Sequence, residues 1–124
     1  MTKRPLTLKF RIPPYKAPRN AWRQEIYQAA EEARKETNVA YDVADHLQID
    51  VLIYMDEGEL SFHDVDNRLK DIMDALQGRI GGPKDERDLL PIVPNDSQFY
   101  RVMVEKRLTT PQSLKLGHVV IRKY

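Results

Sequence analysis

The segment from His46 to Met55 constrains the fold more than any other part of the chain, because large apolar residues occur on both of its alternating faces. One face would carry an unbroken apolar row, formed by Leu47, Ile49, Val51, Ile53 and Met55. The opposite face would carry two large side chains, Leu52 and Tyr54. Strands inside a sheet with cover on both faces have this composition. We therefore expect a β-sheet with this segment as an interior strand.

Three further strands are expected. Residues 6–12 alternate between apolar and polar side chains, which is the period of a strand with one buried face, and Pro13-Pro14 ends the alternation. Residues 99–107 and 114–123 show similar patterns and are separated by a turn at 109–112. The predicted sheet therefore has about four strands.

Two segments have the period of amphipathic helices. In residues 20–36 and 67–77 the apolar side chains recur at helical spacing: Trp22, Ile26, Ala29, Ala30 and Ala33 in the first, Leu69, Ile72, Met73 and Leu76 in the second. Gly78 is a plausible end for the second helix, and residues 79–91 show no sustained period and are expected to form a loop. The order β-α-β-α-β-β predicts an α/β (α+β) fold, with a mixed sheet covered by two helices.

The length and composition exclude several classes of protein. A chain of 124 residues is expected to form a single domain, residues 1–124. It has no cysteine, which excludes disulfides, thiolate zinc sites and a cysteine nucleophile. No apolar stretch approaches the length of about 18 residues that a membrane span requires, so we expect a cytoplasmic protein without a membrane partner.

The small net charge of +1 hides a strong segregation of charge along the sequence. Residues 1–23 contain seven Lys and Arg and no acid, and residues 101–124 contain six Lys and Arg with Glu105 as their only acid. The acidic residues are therefore concentrated in the middle of the chain. This distribution suits a metal-dependent nuclease, although solvated strand faces and tails would produce it equally well.

One stretch of the sequence has residues suited to metal-dependent chemistry. It is Asp64-Val65-Asp66-Asn67, with Asp96 following at a distance. In an extended segment, residues two apart point the same way with Cα atoms about 6.6 Å apart, so Asp64 and Asp66 could bind one cation. Carboxylate oxygens are suited to Mg²⁺ or Mn²⁺. We expect Asp96, arriving from another strand, to complete the site, and a cation to relieve the repulsion among three carboxylates.

Lys70 lies one helical turn after Asp66 and one before Asp74, so the three can share a face of the second helix. A lysine there could neutralise charge that develops on a phosphate during hydrolysis. The alternative is ordinary: Asp66 or Asn67 caps the helix, and Lys70 and Asp74 form a surface ion pair. These few residues alone do not separate the two interpretations.

The combined pattern resembles the RusA family of Holliday junction resolvases. The resemblance rests on Asp64-Val65-Asp66-Asn67, Lys70, Asp74-Ala75-Leu76 and Asp96-Ser97-Gln98, with the strand before Pro13-Pro14, the helix after it, and Lys106. It implies a homodimeric, Mg²⁺-dependent endonuclease, bacterial or phage-encoded, that cuts four-way DNA junctions by paired incisions. It further implies that Asp64, Asp66 and Asp96 are catalytic acids and that Lys70 is a catalytic lysine.

Other residues are expected to assist this site. We expect Asn67, Asp74 and Gln98 to support it and a basic set to contact DNA: Lys9, Arg11, Lys16, Arg19, Arg23, Arg68 and Lys106. The chain departs from the family pattern in its longer connection, residues 79–95, and in Asn95, where an Asp is common. The alternatives are a nuclease for flaps or forks, a non-catalytic module that binds branched DNA, and a structural or protein-interaction domain.

Overall fold

A computed structural model describes residues 5–55, 65–81, 89–109 and 116–124. It has the expected order of elements, and their bounds are β1 Leu8–Ile12, α1 Arg19–Thr37, β2 Leu47–Met55, α2 Val65–Leu76, β3 Phe99–Leu108 and β4 Gly117–Lys123. A short 3₁₀ turn, Asp96–Gln98, precedes β3. The α+β fold with a mixed four-stranded sheet and two helices is thus confirmed.

The strands are arranged in the order β1-β4-β2-β3. β4 pairs antiparallel with both β1 and β2, whereas β2 and β3 are parallel, with Leu47 opposite Phe99 and Met55 opposite Leu108. β2 therefore has a strand on each side, as its composition predicted. The parallel pair requires α2 to cross over between β2 and β3.

Both helices lie on one face of the sheet. That face supplies the core residues of all the inner strands, and α1 packs on it through Trp22, Ile26 and Ala30 while α2 uses Ile72, Ala75 and Leu76. On the opposite face Lys9, Arg11 and Met103 are exposed. No described helix covers that opposite face, so cover on both sides of β2 stays a prediction; Leu52 is buried there beside its neighbours within the sheet.

Two ends of the sheet matter for the site. The Met55 end is where β1 and β2 finish, and the Leu47 end is where β2 and β3 begin. α2 has its first half at the Met55 end, because Arg68 stacks on Tyr15, which follows β1. The last residue of α2 accepts hydrogen bonds at its carbonyl from Ile92 and Val93, which lead to β3. The crossover thus starts at one end and returns to the other.

The end of α2 matches the turn chemistry expected from sequence. Gly78 has φ +82°, and its amide donates to the Ala75 carbonyl at 2.9 Å. A Cβ there would lie 2.2 Å from the Leu89 carbonyl oxygen, so both the dihedral angle and the space require glycine. Within the described ranges, no helix is long and apolar enough to cross a membrane.

Candidate functional site

The first turns of α2 present three of the predicted site residues to solvent. Asp66, Asn67 and Lys70 are all exposed, while the helix packs through Ile72, Ala75 and Leu76. Asp66 lies in the first helical turn, where the helix dipole favours a carboxylate. Asp64, which was predicted to act with Asp66, lies outside the described residues. The described part of the motif is thus an exposed carboxylate and an exposed ammonium one turn apart.

Asp74 has a different partner from the one considered at the sequence level. Its Oδ2 lies 3.0 Å from Nη2 of Arg23 on α1. Arg23 also reaches Asp71, with Nη2 3.0 Å and Nε 3.1 Å from Oδ1, and Arg19 contacts the same oxygen at 3.1 Å. These ion pairs join α1 to α2 beside the motif. They fix the direction in which α2 presents Asp66 and Lys70.

Arg68 is the third guanidinium of this network. It is only 4% exposed, and its Cζ lies 3.7 Å from the centre of the Tyr15 ring, which is a cation–π contact. Its Nη2 lies 3.4 Å from Oδ2 of Asp71, whereas its Nε and Nη1 form no hydrogen bond with any residue that the structure describes. The expectation that Arg68 and Arg23 contact DNA does not fit this structure, because both side chains are directed into the ion-pair network.

Sequence reasoning missed Asp71 altogether. This carboxylate is 1% exposed and contacts three arginines, yet it was assigned no role. The available signal was the spacing of Arg68 and Asp71, which are three residues apart on the helix and oppositely charged. A buried carboxylate with several cationic partners holds the two helices in one arrangement.

Asp96 and Gln98 lie at the Leu47 end, in a tight capped turn. Asn95 caps this turn through its side chain, which accepts from the Ser97 amide at 2.9 Å. Buried Gln98 accepts from the Asn95 amide and donates to the carbonyls of Asp42 at 2.7 Å and Asp45 at 3.0 Å. Gln98 therefore joins the start of β3 to the loop before β2. Asp96, in contrast, is exposed.

Asp66 and Asp96 thus lie at opposite ends of the helix–sheet layer within one chain. The helix from Asp66 to Leu76 alone spans about 15 Å, and Asp96 follows the segment that bonds to its far end. Among the described residues, no group of three or more His, Asp or Glu side chains is arranged to hold a metal ion. The convergence of Asp64, Asp66 and Asp96 on one cation stays a prediction.

The remaining basic residues fall on different surfaces. Lys9 and Arg11 are exposed on the uncovered sheet face, where they line a groove with His118. Lys16 and Arg19 are exposed before and at the start of α1, on the same end as Asp66. Lys106 of β3 is half-buried. Cations therefore lie both on the sheet and at the Met55 end.

An aromatic cluster at the Leu47 end was not foreseen. The rings of His46 and Tyr100 stack with centroids 4.3 Å apart, and Tyr124 follows at 5.5 Å from Tyr100. All three side chains are exposed. They come from the starts of β2 and β3 and from the end of β4, so only the sheet pairing brings them together. Exposed rings of this kind can stack on unpaired bases.

Comparison with known proteins adds no family to this description. No model of a protein family matches the chain, and no curated protein matches it.

Proposed function

We propose that the protein is a metal-dependent endodeoxyribonuclease that cuts branched DNA, with the four-way junction as its preferred substrate. The observation that carries the proposal is the different use of the carboxylates of α2. Asp71 and Asp74 are engaged by arginines of α1, whereas Asp66 is exposed and lies one helical turn from exposed Lys70. A carboxylate and an ammonium in this arrangement are suited to a cation and a phosphate, respectively.

The donor atoms fit a hard divalent cation. Asp66 and Asp96 are exposed, and neither takes part in an ion pair within the described ranges. With Asp64, they would offer oxygen ligands of the kind that Mg²⁺ and Mn²⁺ prefer. Once bound, such a cation supplies Lewis-acid chemistry that polarises a phosphate and activates water. The cation is thus the cofactor that we propose.

Lys70 and the nearby cations have roles that follow from their charge. Lys70 lies on the exposed side of α2 and would stabilise negative charge on the scissile phosphate. Lys16 and Arg19, at the same end, would hold the flanking phosphates. The preference for a four-way junction is supported by the resemblance of the motif to the RusA resolvases, and that for DNA by the basic residues.

The test uses synthetic four-way junctions in Mg²⁺ and Mn²⁺. We expect paired incisions by the native protein and loss of cutting in Asp66→Asn, while junction binding in EDTA is retained. Glu32→Gln, an exposed acid-to-amide change on α1, is the matched control and should cut normally. A native protein that cuts neither junctions, flaps nor forks in either metal would overturn the proposal.

The second candidate is a module that binds branched DNA without cutting it. The separation of Asp66 from Asp96 within one chain favours this alternative, because these two carboxylates lie at opposite ends of the sheet. Binding with an affinity that falls steeply with salt, together with no incision, would support it. Flap and fork substrates in the same assay separate junction resolution from wider structure-selective cleavage.

A further inference from the structure

The aromatic cluster at the Leu47 end, formed by His46, Tyr100 and Tyr124, is not used by the proposed nuclease site. His46 directly precedes β2, Tyr100 belongs to β3 and Tyr124 directly follows β4. Tyr100 and Tyr124 are 56% and 60% exposed, so much of their ring surface is open to a ligand. Aromatic rings contribute most to binding when a flat apolar partner stacks on them. The cluster therefore offers a stacking surface at the end of the sheet opposite Asp66.

Hydrogen bonds hold the aromatic cluster in one arrangement. The Tyr100 hydroxyl lies 3.3 Å from Nε2 of His46, and the Tyr124 amide donates to the His46 carbonyl at 2.8 Å. Beside the cluster, the side-chain amide of Gln48 donates to the Lys123 carbonyl at 3.2 Å. The rings are thus positioned relative to one another before a ligand binds, which lowers the entropy lost on binding.

The sheet face opposite the helices, which we call the far face, carries more cations than acids. The strand alternation and the pairing register place these charged residues on it: Lys9, Arg11, Arg101, Arg107 and Arg122, with Asp50 and Glu105 as the acids. Each acid forms an ion pair with an arginine of the same face. Lys9, Arg11 and Arg101 are exposed and form no ion pair with a described residue. Their charges are available to an anionic partner.

The available cations extend from the aromatic cluster across the sheet. Arg101 directly follows Tyr100 and lies opposite Gln48, which lies opposite Arg122 on β4. Lys9 lies on β1, three strand spacings or about 14 Å from β3. Proteins that bind single-stranded nucleic acid combine a row of cations along the phosphate backbone with rings on which successive bases stack. The far face and the aromatic cluster together have both parts.

We propose that the far face and the aromatic cluster bind single-stranded DNA, with unpaired bases stacked on Tyr100 and Tyr124. The phosphates of the strand contact Lys9, Arg11 and Arg101. The rings select an unpaired strand, because the faces of bases in a duplex are covered by the neighbouring base pairs. Binding is a separate activity from cutting, although the choice of DNA over RNA rests on the proposed function.

The stacking is tested by fluorescence anisotropy with labelled oligo(dU) of about 12 nucleotides, a length within the usual range for such sites. EDTA in the buffer prevents cutting. Tyr100→Ala and Tyr124→Ala should each weaken binding about five-fold or more, whereas Tyr100→Phe keeps the ring and should bind like the native protein. Leu90→Ala, at a site that is 84% exposed near α1, is the matched control and should bind normally.

A blunt duplex of the same length shows whether the rings select unpaired bases. Its affinity should not change in Tyr100→Ala or Tyr124→Ala, and thermal unfolding of each variant checks that the fold is retained. Tyr124 follows the last residue of β4, so its truncation leaves the sheet pairing in place. Native affinity for oligo(dU) in both alanine variants, or equal losses on the duplex and the single strand, would overturn the stacking.

The phosphate contacts are tested by the dependence of affinity on salt. Each contact with a single strand contributes about 0.7 to the slope of log K against log salt concentration. Lys9→Gln and Arg101→Gln should therefore each reduce the slope by about 0.7. Lys35→Gln, an exposed cation on α1, is the control and should leave the slope unchanged. Native slopes in both far-face variants would refute the contribution of these cations.

The same protein samples separate this proposal from the nuclease function. Asp66→Asn should bind oligo(dU) like the native protein, since Asp66 lies at the Met55 end. Oligo(dU) binding that depends on the rings, in a native protein that cuts no branched DNA, would overturn only the nuclease function. Junction cutting without such binding would overturn only the single-strand site. Tighter binding of oligo(rU) than of oligo(dU) would identify RNA as the partner and overturn the choice of DNA.

Discussion

Replacing Asp71 with alanine is the sharpest test of the ion-pair network, because this carboxylate is 1% exposed and contacts three arginines. Removing one partner of a buried ion pair typically costs about 3–5 kcal/mol. The Arg19 side chain is 52% exposed, so its share is small. Arg23 keeps Asp74, but buried Arg68 loses its only carboxylate among the described residues. We therefore expect a loss near the lower limit, about 3 kcal/mol in the free energy of unfolding.

The assay is equilibrium unfolding in urea together with calorimetry. With an unfolding entropy of about 0.26 kcal/mol/K for a chain of this length, a loss of 3 kcal/mol lowers Tm by about 12 °C. The dependence of the unfolding free energy on urea should not change, since the folded core remains the same. Asp66→Ala is the matched control on the same helix. Its carboxylate is exposed and interacts mainly with the helix dipole, so it should cost less than about 1 kcal/mol.

Equal losses in the free energy of unfolding for Asp71→Ala and Asp66→Ala would refute this expectation. A loss below about 1 kcal/mol for Asp71→Ala would mean that the network only compensates the cost of burying its own charges, as some buried ion pairs do. In that case the orientation of α2 would depend on the apolar contacts of Ile72, Ala75 and Leu76 rather than on its charged residues.

Three further predictions concern stability. Gln98→Ala should cost about 2–3 kcal/mol by thermal unfolding, because two loop carbonyls lose their donor, whereas exposed Gln28→Ala should be neutral. Burial raises the pKa of Tyr41 above its ordinary value near 10. The neutral phenol therefore stabilises the folded state fully below pH 10, and this contribution to the free energy of unfolding is lost as the pH rises further. Urea midpoints from pH 9 to 11 should fall less in Tyr41→Phe than in the native protein. Gly117→Ala should lower Tm by several degrees, since its Cβ would lie 2.0 Å from the Leu52 carbonyl oxygen and the strands must separate; an unchanged Tm would contradict this packing.

The sequence predicted the elements better than their arrangement. Alternation along β2 and helical spacing in α1 are local properties, and these elements were placed within a residue or two of their observed bounds. The strand order was not accessible, because it depends on which distant segments pair, and the insertion of β4 between β1 and β2 has no local signal. For the same reason the apolar residues of β2 could not reveal that both described helices lie on one face of the sheet.

The sequence predicted the exposed residues of the candidate site better than the buried ones. Exposure of Asp66 and Lys70 follows from their place on α2 opposite its apolar stripe, which the sequence does show. Burial of Arg68 and Asp71 arises because a second surface of α2 packs against α1 and Tyr15, and helical periodicity describes only one packed surface. Gln98 was predicted to support the site, which stays a prediction; its structural contacts join the start of β3 to the loop before β2.

The position of β4 has a consequence for how the chain is made. This strand is the last described element in sequence, yet it is the partner of both β1 and β2. During synthesis, β1 and β2 would each have an unpaired edge until β4 is made, since β4 lies between them in the sheet. The pairing of Leu8 with Ile121 joins residues more than a hundred positions apart, so closing the sheet requires β4 to have left the ribosome. Assembly of this sheet is therefore expected to follow the synthesis of β4.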